Sequence, residues 1–400
     1  MKIKFNIKAT LLYMIAYLCV LAAVSESQAT VNYGVVIPYI NFNPTYLLLA
    51  IIGIGFIYTV TMKKIKVDII MVFLFFRMVM CFIPMFTANV SSSFWGNFVV
   101  ACFPFFIYFF MKNCKVDVSK ATVVFLIFGI VVAIECIWAY FTIVGKGLAG
   151  YNDLWYKSYF VVPAGATNDL SAIILPLLIV GDCVIPKKTV RYLYDALLLV
   201  GIFLCKSRTG MILAVCYLVY KLFALIRSKS LAIKKIAYMV IPLVLIFTVV
   251  TVFFTPVGDK VKELLLGFSS EGGGLDSLTS GRLSLIKESA EYIAKHPIFG
   301  NGVDYEQMGY IRTHNVFFQI AYENGILGLI GFVIFLIICV NKILKCRNLN
   351  IYYRAFFIAA PFIFINAMVE DSLITDFMIL FTLTYLSNMN RDLKESEENV

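Results

Sequence analysis

Long apolar stretches separated by short basic connectors set the pattern of the chain. Twelve apolar runs can be traced, at 9–25, 45–62, 67–88, 95–111, 121–144, 170–185, 190–205, 209–226, 235–255, 314–341, 353–369 and 373–388. A hydrocarbon core ~30 Å thick takes about 20 helical residues per crossing. The runs show no period-2 alternation, which argues against a barrel. Backbone groups in lipid must pair within their own segment, which leaves helices. The pattern therefore predicts an all-α integral membrane protein with about twelve transmembrane helices in one polytopic domain, 1–400.

One polar interval is much longer than the others, at 256–313, between runs nine and ten. Its middle, SSEGGGLDSLTS, is rich in Gly and Ser. After it, Leu283, Ile286, Ala290 and Ile293 recur at helical spacing, with Lys287, Glu288, Glu291 and Lys295 off that stripe. An amphipathic helix is expected over about 282–295, started by Ser280 and stopped by Pro297. It would lie on the membrane surface or on the bundle.

Composition agrees with the bilayer reading: 61% of the residues are apolar and 14% charged, with a mean hydropathy of +0.88. The net charge of +10 does not point to nucleic acid. With the N-terminus inside, every inside connection is basic, for example Lys63–Lys64–Lys66, Lys187–Lys188–Arg191 and Lys342–Lys345–Arg347. That is the positive-inside asymmetry. Both termini then face the cytoplasm, and 256–313 faces outward. A cleaved leader over 1–29 is the competing topology, leaving eleven spans. The ten cysteines lie almost entirely in apolar runs and read as small packing residues.

Several short motifs resemble the O-antigen ligase and O-antigen polymerase superfamily of bacterial membrane glycosyltransferases. SGR at 280–282, followed by the expected helix and then HPIFGNG at 296–302, resembles that family's outer-loop helix and turn. His314-Asn315, nine residues and then Gly325-Ile-Leu-Gly328 resembles its "HN, nine residues, GxxG" element. KSRTGMILAV at 206–215 resembles its Arg-containing helix start, and GATNDLSAIILP at 165–176 an Asn-containing motif. The resemblance implies transfer of a glycan from a polyprenyl-diphosphate carrier, on the outer face of the bacterial cytoplasmic (inner) membrane. It implies a carrier-linked donor, a glycan acceptor, and a chain-length regulator and a flippase as partners.

Such a reaction releases a diphosphate, whose growing negative charge guanidinium groups stabilise. The acceptor is a sugar hydroxyl of high pKa, so a positioned base assists attack. His314, one of two histidines in the chain, is the catalytic residue that the resemblance implies; it either takes the acceptor proton or holds the diphosphate. Arg208, Arg282 and Arg312 are the candidate donor ligands, each with an ordinary solvated or interfacial role as the alternative. Lys206, Asn168 and Asn315 are supporting residues, Asn315 either orienting His314 or capping a helix. His296 reads as part of a turn. Gly325, Gly328 and Gly331 read as a close-packing stripe. Arg77 and Glu135 fall mid-span, where a mutual ion pair or the wall of a substrate cavity is expected. Glu323, about 13 Å along a helix from His314, is expected to lie too deep for the same substrate atom. No metal-ligand cluster or cofactor motif is present in the sequence, so a metal-independent transfer is expected; direct displacement with His314 as the base would invert the anomeric centre.

The motifs are shared between a polymerase of carrier-linked repeat units and a ligase that moves the finished chain to lipid A-core. For this superfamily the outer loop is fairly short, which favours the polymerase. A protein O-glycosyltransferase and, from another class, a polysaccharide flippase are the remaining readings.

Overall fold

The computed structural model describes residues 65–87, 94–114, 117–153, 155–162, 164–226, 282–303, 313–369 and 376–397, with Gly53, Ile57 and Thr61. The apolar runs 9–25 and 235–255, nearly all of 45–62, and much of 256–313 lie outside the described residues. So do Ser280, Arg312, Glu370 and Asp371.

The other nine runs are helical. In chain order these are α1 (Ile69–Phe82), α2 (Phe94–Cys114), α3 (Val118–Gly145), α4 (Thr167–Val184), α5 (Lys188–Leu204) and α6 (Arg208–Ile226). The loop helix α7 (Arg282–Lys295) follows, then α8 (Val316–Cys346), α9 (Ile351–Val369) and α10 (Asp376–Glu397). Among the described residues, six segments are long and apolar enough to cross a membrane: Ile69–Phe86, Phe94–Asn113, Val118–Gly145, Thr167–Val184, Val316–Cys346 and Ile351–Val369. A two-stranded antiparallel ribbon, β1 (Val161–Val162) and β2 (Gly165–Ala166), leads into α4.

Polar residues at the run boundaries start the helices. Asp68 accepts the Met71 amide at 3.1 Å, Asp117 accepts Ser119 at 2.9 Å, and Asn350 accepts Tyr352 and Tyr353 at 3.0 Å each. These caps satisfy amides that lack an intrahelical partner. Helix α10 runs past Asn388 to Glu397, beyond the apolar run, because its polar tail is made largely of good helix formers.

Side-chain contacts fix which ends share a side. Asp68, starting α1, meets Lys112 at the end of α2 (3.1 Å) and Lys342 near the end of α8 (3.4 Å). Tyr353, starting α9, donates to Asp392 late in α10, and Thr122, early in α3, pairs with Tyr385 of α10 at 2.7 Å. Cys346 is the last residue of α8 and is buried there against α10. This is one basic end of the bundle. At the opposite end the connection after α3 folds back: Tyr151 and Tyr156 donate to the carbonyls of Phe203 and Leu204, at 2.9 Å each. The end of α5 and the start of α6 therefore lie opposite the basic end. Between the two ends, α9 lies along α4 and α5 along α3 and α4, burying a core that includes Tyr156, Phe160, Leu198 and Phe356.

The loop helix occupies the expected residues, but its buried face differs from the predicted stripe. Ala290 is exposed, whereas Ser289 is fully buried and donates to the Leu285 carbonyl. The helix packs on α8, with Tyr292 edge-on to Tyr322 at 6.2 Å. A small hydroxyl that bonds its own helix suits that close contact better than the apolar count suggested.

Candidate active site

The site grows from a break in α8. Gly325 has φ 63° and ψ −166°, a region open essentially to glycine alone. Phe317 and Phe332 flank the break with ring centroids 5.6 Å apart. Fifteen residues of straight helix would separate them by ~22 Å, so the two arms of α8 fold toward each other. The break would strand backbone groups, and the HPIFGNG turn satisfies them. Asn301 and Gly302 donate to the Tyr322 and Glu323 carbonyls at 2.7 and 2.9 Å, while Ile326 and Leu327 donate to Pro297 and Ile298 at 2.8 and 3.5 Å. Asn301 Nδ2 adds a bond to Tyr292 O at 3.1 Å, tying in the loop helix. His296 closes the turn by accepting the Gly300 amide at 2.9 Å.

Two glycines make this joint possible. A Cβ on Gly300 would stand 2.5 Å from the Gly325 amide, and one on Gly325 would stand 2.3 Å from the Ile298 carbonyl. Gly325 is therefore a hinge for backbone exchange, not a member of a packing stripe. Gly331 does pack, since its Cβ would meet the Phe76 ring at 3.0 Å.

His314 stands just before the first arm of α8, partly buried, with φ 51°. Left-handed backbone is uncommon outside glycine. Asn315 is a helix cap: its Oδ1 accepts Phe317 and Phe318 at 3.0 and 3.3 Å. Its Nδ2 also donates to the Met368 carbonyl at 2.8 Å, fixing the arm to the end of α9. On the other flank, the buried Thr313 hydroxyl accepts the Asn315 amide at 3.3 Å.

The arm is also held from within the bundle. Arg77 Nη2 pairs with Glu323 Oε2 at 3.2 Å. Gln319 Nε2 donates to Glu323 Oε1 at 2.9 Å, and Gln319 Oε1 receives the Thr313 amide at 3.3 Å. Arg77 thus pairs with Glu323 and not with Glu135, because the fold-back of α8 brings Glu323 within reach of α1. Gln319 links Glu323 to Thr313, the residue before His314.

A second strained helix start lies at the same end. Lys206, with φ 54°, is the other non-glycine residue of positive φ among the described residues. It stands two residues before α6, as His314 stands two before α8. Ser171 of α4 donates to Ser207 at 2.9 Å, which ties the first turn of α4, where Asn168 stands, to the start of α6, where Arg208 is exposed. Lys206 turns away to hold the loop after α3. Its Nζ donates to the Tyr151 and Asp153 carbonyls at 2.7 and 3.3 Å, over the Tyr151 and Tyr156 rings. Burial keeps the Tyr156 phenol well above its ordinary pKa.

Glu135 is buried in α3, beside the Ala164 backbone. Its neighbour Cys136 lies 3.5 Å from Cys205, sulfur to sulfur, which puts Glu135 behind this second helix start. Arg282 begins the loop helix. An apolar cavity of about 510 Å³ opens between α1, α8 and α9, and Arg77 stands in its wall. Glu135 does not line it.

The proline, glycine and His-Asn motifs seen in the sequence are thus two sides of one backbone joint plus the arm it supports. Residue spacing alone would not have found Gln319, Thr313 or the Glu323 partner of Arg77.

Comparison with known proteins agrees with the motifs. The profile of a family described as O-antigen ligase matches residues 193–333, which include Arg208, Arg282, Arg312, His314 and Asn315 but not Arg77, Glu135 or Asn168. An O-antigen polymerase of Salmonella muenchen is 28% identical over 184 residues. That match covers 42% of this chain and 44% of the relative, so less than half of the relative is represented. The two matches support a likeness to the O-antigen ligase and polymerase superfamily, and the long apolar helices indicate a multi-pass membrane protein.

Proposed function

We propose that the protein polymerises polyprenyl-diphosphate-linked oligosaccharide repeat units into a surface polysaccharide, at the outer face of the cytoplasmic membrane. The observation that carries this reading is the shared placement of two strained helix starts. One bears His314 and the other Arg208, both within the segment matched by the O-antigen family. Non-glycine residues in sparsely populated backbone conformations cluster at functional sites.

The acceptor hydroxyl oxygen attacks the anomeric carbon of the donor sugar as the bond from that carbon to the diphosphate oxygen breaks. The proton of the hydroxyl passes to a ring nitrogen of His314, which works best neutral near physiological pH. Direct displacement inverts the anomeric centre. Arg208, Arg282 and Arg312 stabilise the departing diphosphate, and no metal is required. Asn315 caps the helix start that bears His314, and Asn168 supports donor binding beside the start that bears Arg208. The apolar cavity beside Arg77 accommodates the isoprenoid chain of the carrier.

The family description supplies the second reading, a ligase that transfers the chain to lipid A-core. Purified protein in nanodiscs, given only carrier-linked repeat units, separates the two. A polymerase yields a ladder of longer carrier-linked products. A ligase leaves the carrier-linked pool unchanged until lipid A-core is added.

A further inference from the structure

We propose that the buried Arg77–Glu323 pair is a positioning device for His314, acting through Gln319 and Thr313. This rests on the reading of His314 as the residue that acts on substrate.

A buried ion pair is weak evidence of added stability, because desolvation offsets much of the attraction. Its geometry suggests another use. Glu323 as a carboxylate only accepts hydrogen bonds. It therefore dictates which way the Gln319 amide points: Nε2 toward Glu323 at 2.9 Å and Oε1 toward Thr313 at 3.3 Å. Gln319 is itself 1% exposed and Thr313 1%, so no solvent competes for these bonds. The Arg77 guanidinium, 3.2 Å away, holds Glu323 in place. Thr313 is the residue immediately before the strained His314, and its hydroxyl also accepts the Asn315 amide on the far side at 3.3 Å. The charge on Arg77 thus reaches the His314 backbone through three consecutive contacts. Glu323 also accepts the Gly302 amide of the outer turn through its carbonyl at 2.9 Å. The same residue thus also anchors the turn at 296–302.

The chain has two histidines, which makes the test direct. Full-length protein carrying ring-labelled histidine is placed in nanodiscs, and the two imidazole signals are assigned with His296→Gln. In Glu323→Gln, an isosteric change, the His314 signal is expected to move while that of His296 stays. The turnover number for chain growth should fall at least tenfold, with KM within about twofold of wild type. Arg77→Lys, which keeps the charge, should give a smaller displacement and retain part of the turnover. Gln319→Met leaves both charges present but removes the amide, and should reproduce the Glu323→Gln shift; it also serves if Glu323→Gln does not fold. An unmoved His314 signal in folded Glu323→Gln or Gln319→Met overturns the proposal. A displaced signal with unchanged chain growth supports the positioning and instead refutes the role assigned to His314.

Discussion

Replacing Gly325 by alanine attacks the joint that presents His314, and the cost can be worked from the backbone. At φ 63° and ψ −166°, a non-glycine residue carries about 1–3 kcal/mol of strain. The new methyl would also sit 2.3 Å from the Ile298 carbonyl oxygen and 2.7 Å from the Gly300 amide. Both are backbone atoms and cannot rotate away, so the turn must move out. That movement weakens four backbone bonds between 297–302 and 322–327, each worth about 1 kcal/mol net. The expected loss is about 5 kcal/mol. Gly331→Ala is the control: its methyl meets only the rings of Phe76 and Phe73, at 3.0 and 3.4 Å. Rings can shift, and about 1 kcal/mol is expected. Equilibrium unfolding of the full-length protein in mixed micelles, followed by aromatic fluorescence, measures both. A Gly325→Ala protein within about 1 kcal/mol of wild type, or one less affected than Gly331→Ala, would refute the exchanged-backbone account of the break.

Three further outcomes follow from other parts of the molecule. Asp68→Asn should cost about 3 kcal/mol, because Lys112 and Lys342 lose the partner they share at the basic end. Burial alone would raise the Asp68 pKa, but Lys342, Lys112, the Tyr108 hydroxyl and the Met71 amide outweigh it and hold it below 3.8. Its stabilisation is therefore present above the unfolded-state value and lost as pH falls below about 4, so acid unfolding of Asp68→Asn should show a shallower pH dependence there than wild type. Lys206→Ala should speed amide exchange at Asp153 and Tyr156 about tenfold or more, since a charged donor to the loop carbonyls is lost; unchanged protection would show that the contact does not hold the loop. Chain growth should persist in EDTA, and loss with chelator followed by rescue with Mg²⁺ or Mn²⁺ would overturn the metal-free scheme.

Apolar periodicity made the helices legible, and the caps were written beside them: Asn315 and Asp68 stand where an apolar run begins. The loop helix at 282–295 was legible for the same reason, between a Gly/Ser-rich stretch and Pro297. The break at Gly325 was not, because a single-residue reversal leaves the apolar pattern on both sides intact. Its hydrogen-bond partners lie more than twenty residues upstream, in a turn whose own sequence gives only its shape. The partner of Arg77 was hidden for a related reason. Sequence spacing offered Glu135 as the other mid-span charge, while Glu323 becomes available only when α8 folds back. Ser289 shows the limit of apolar counting, since a serine bonded to its own helix buries as well as an alanine.

The most direct measurement of the central claim is mass analysis of lipid-linked products made by wild-type protein and by His314→Ala, each given purified carrier-linked repeat units. The account predicts a ladder of longer carrier-linked glycans from wild type, and unextended units from a folded His314→Ala. Normal chain growth by His314→Ala would contradict it.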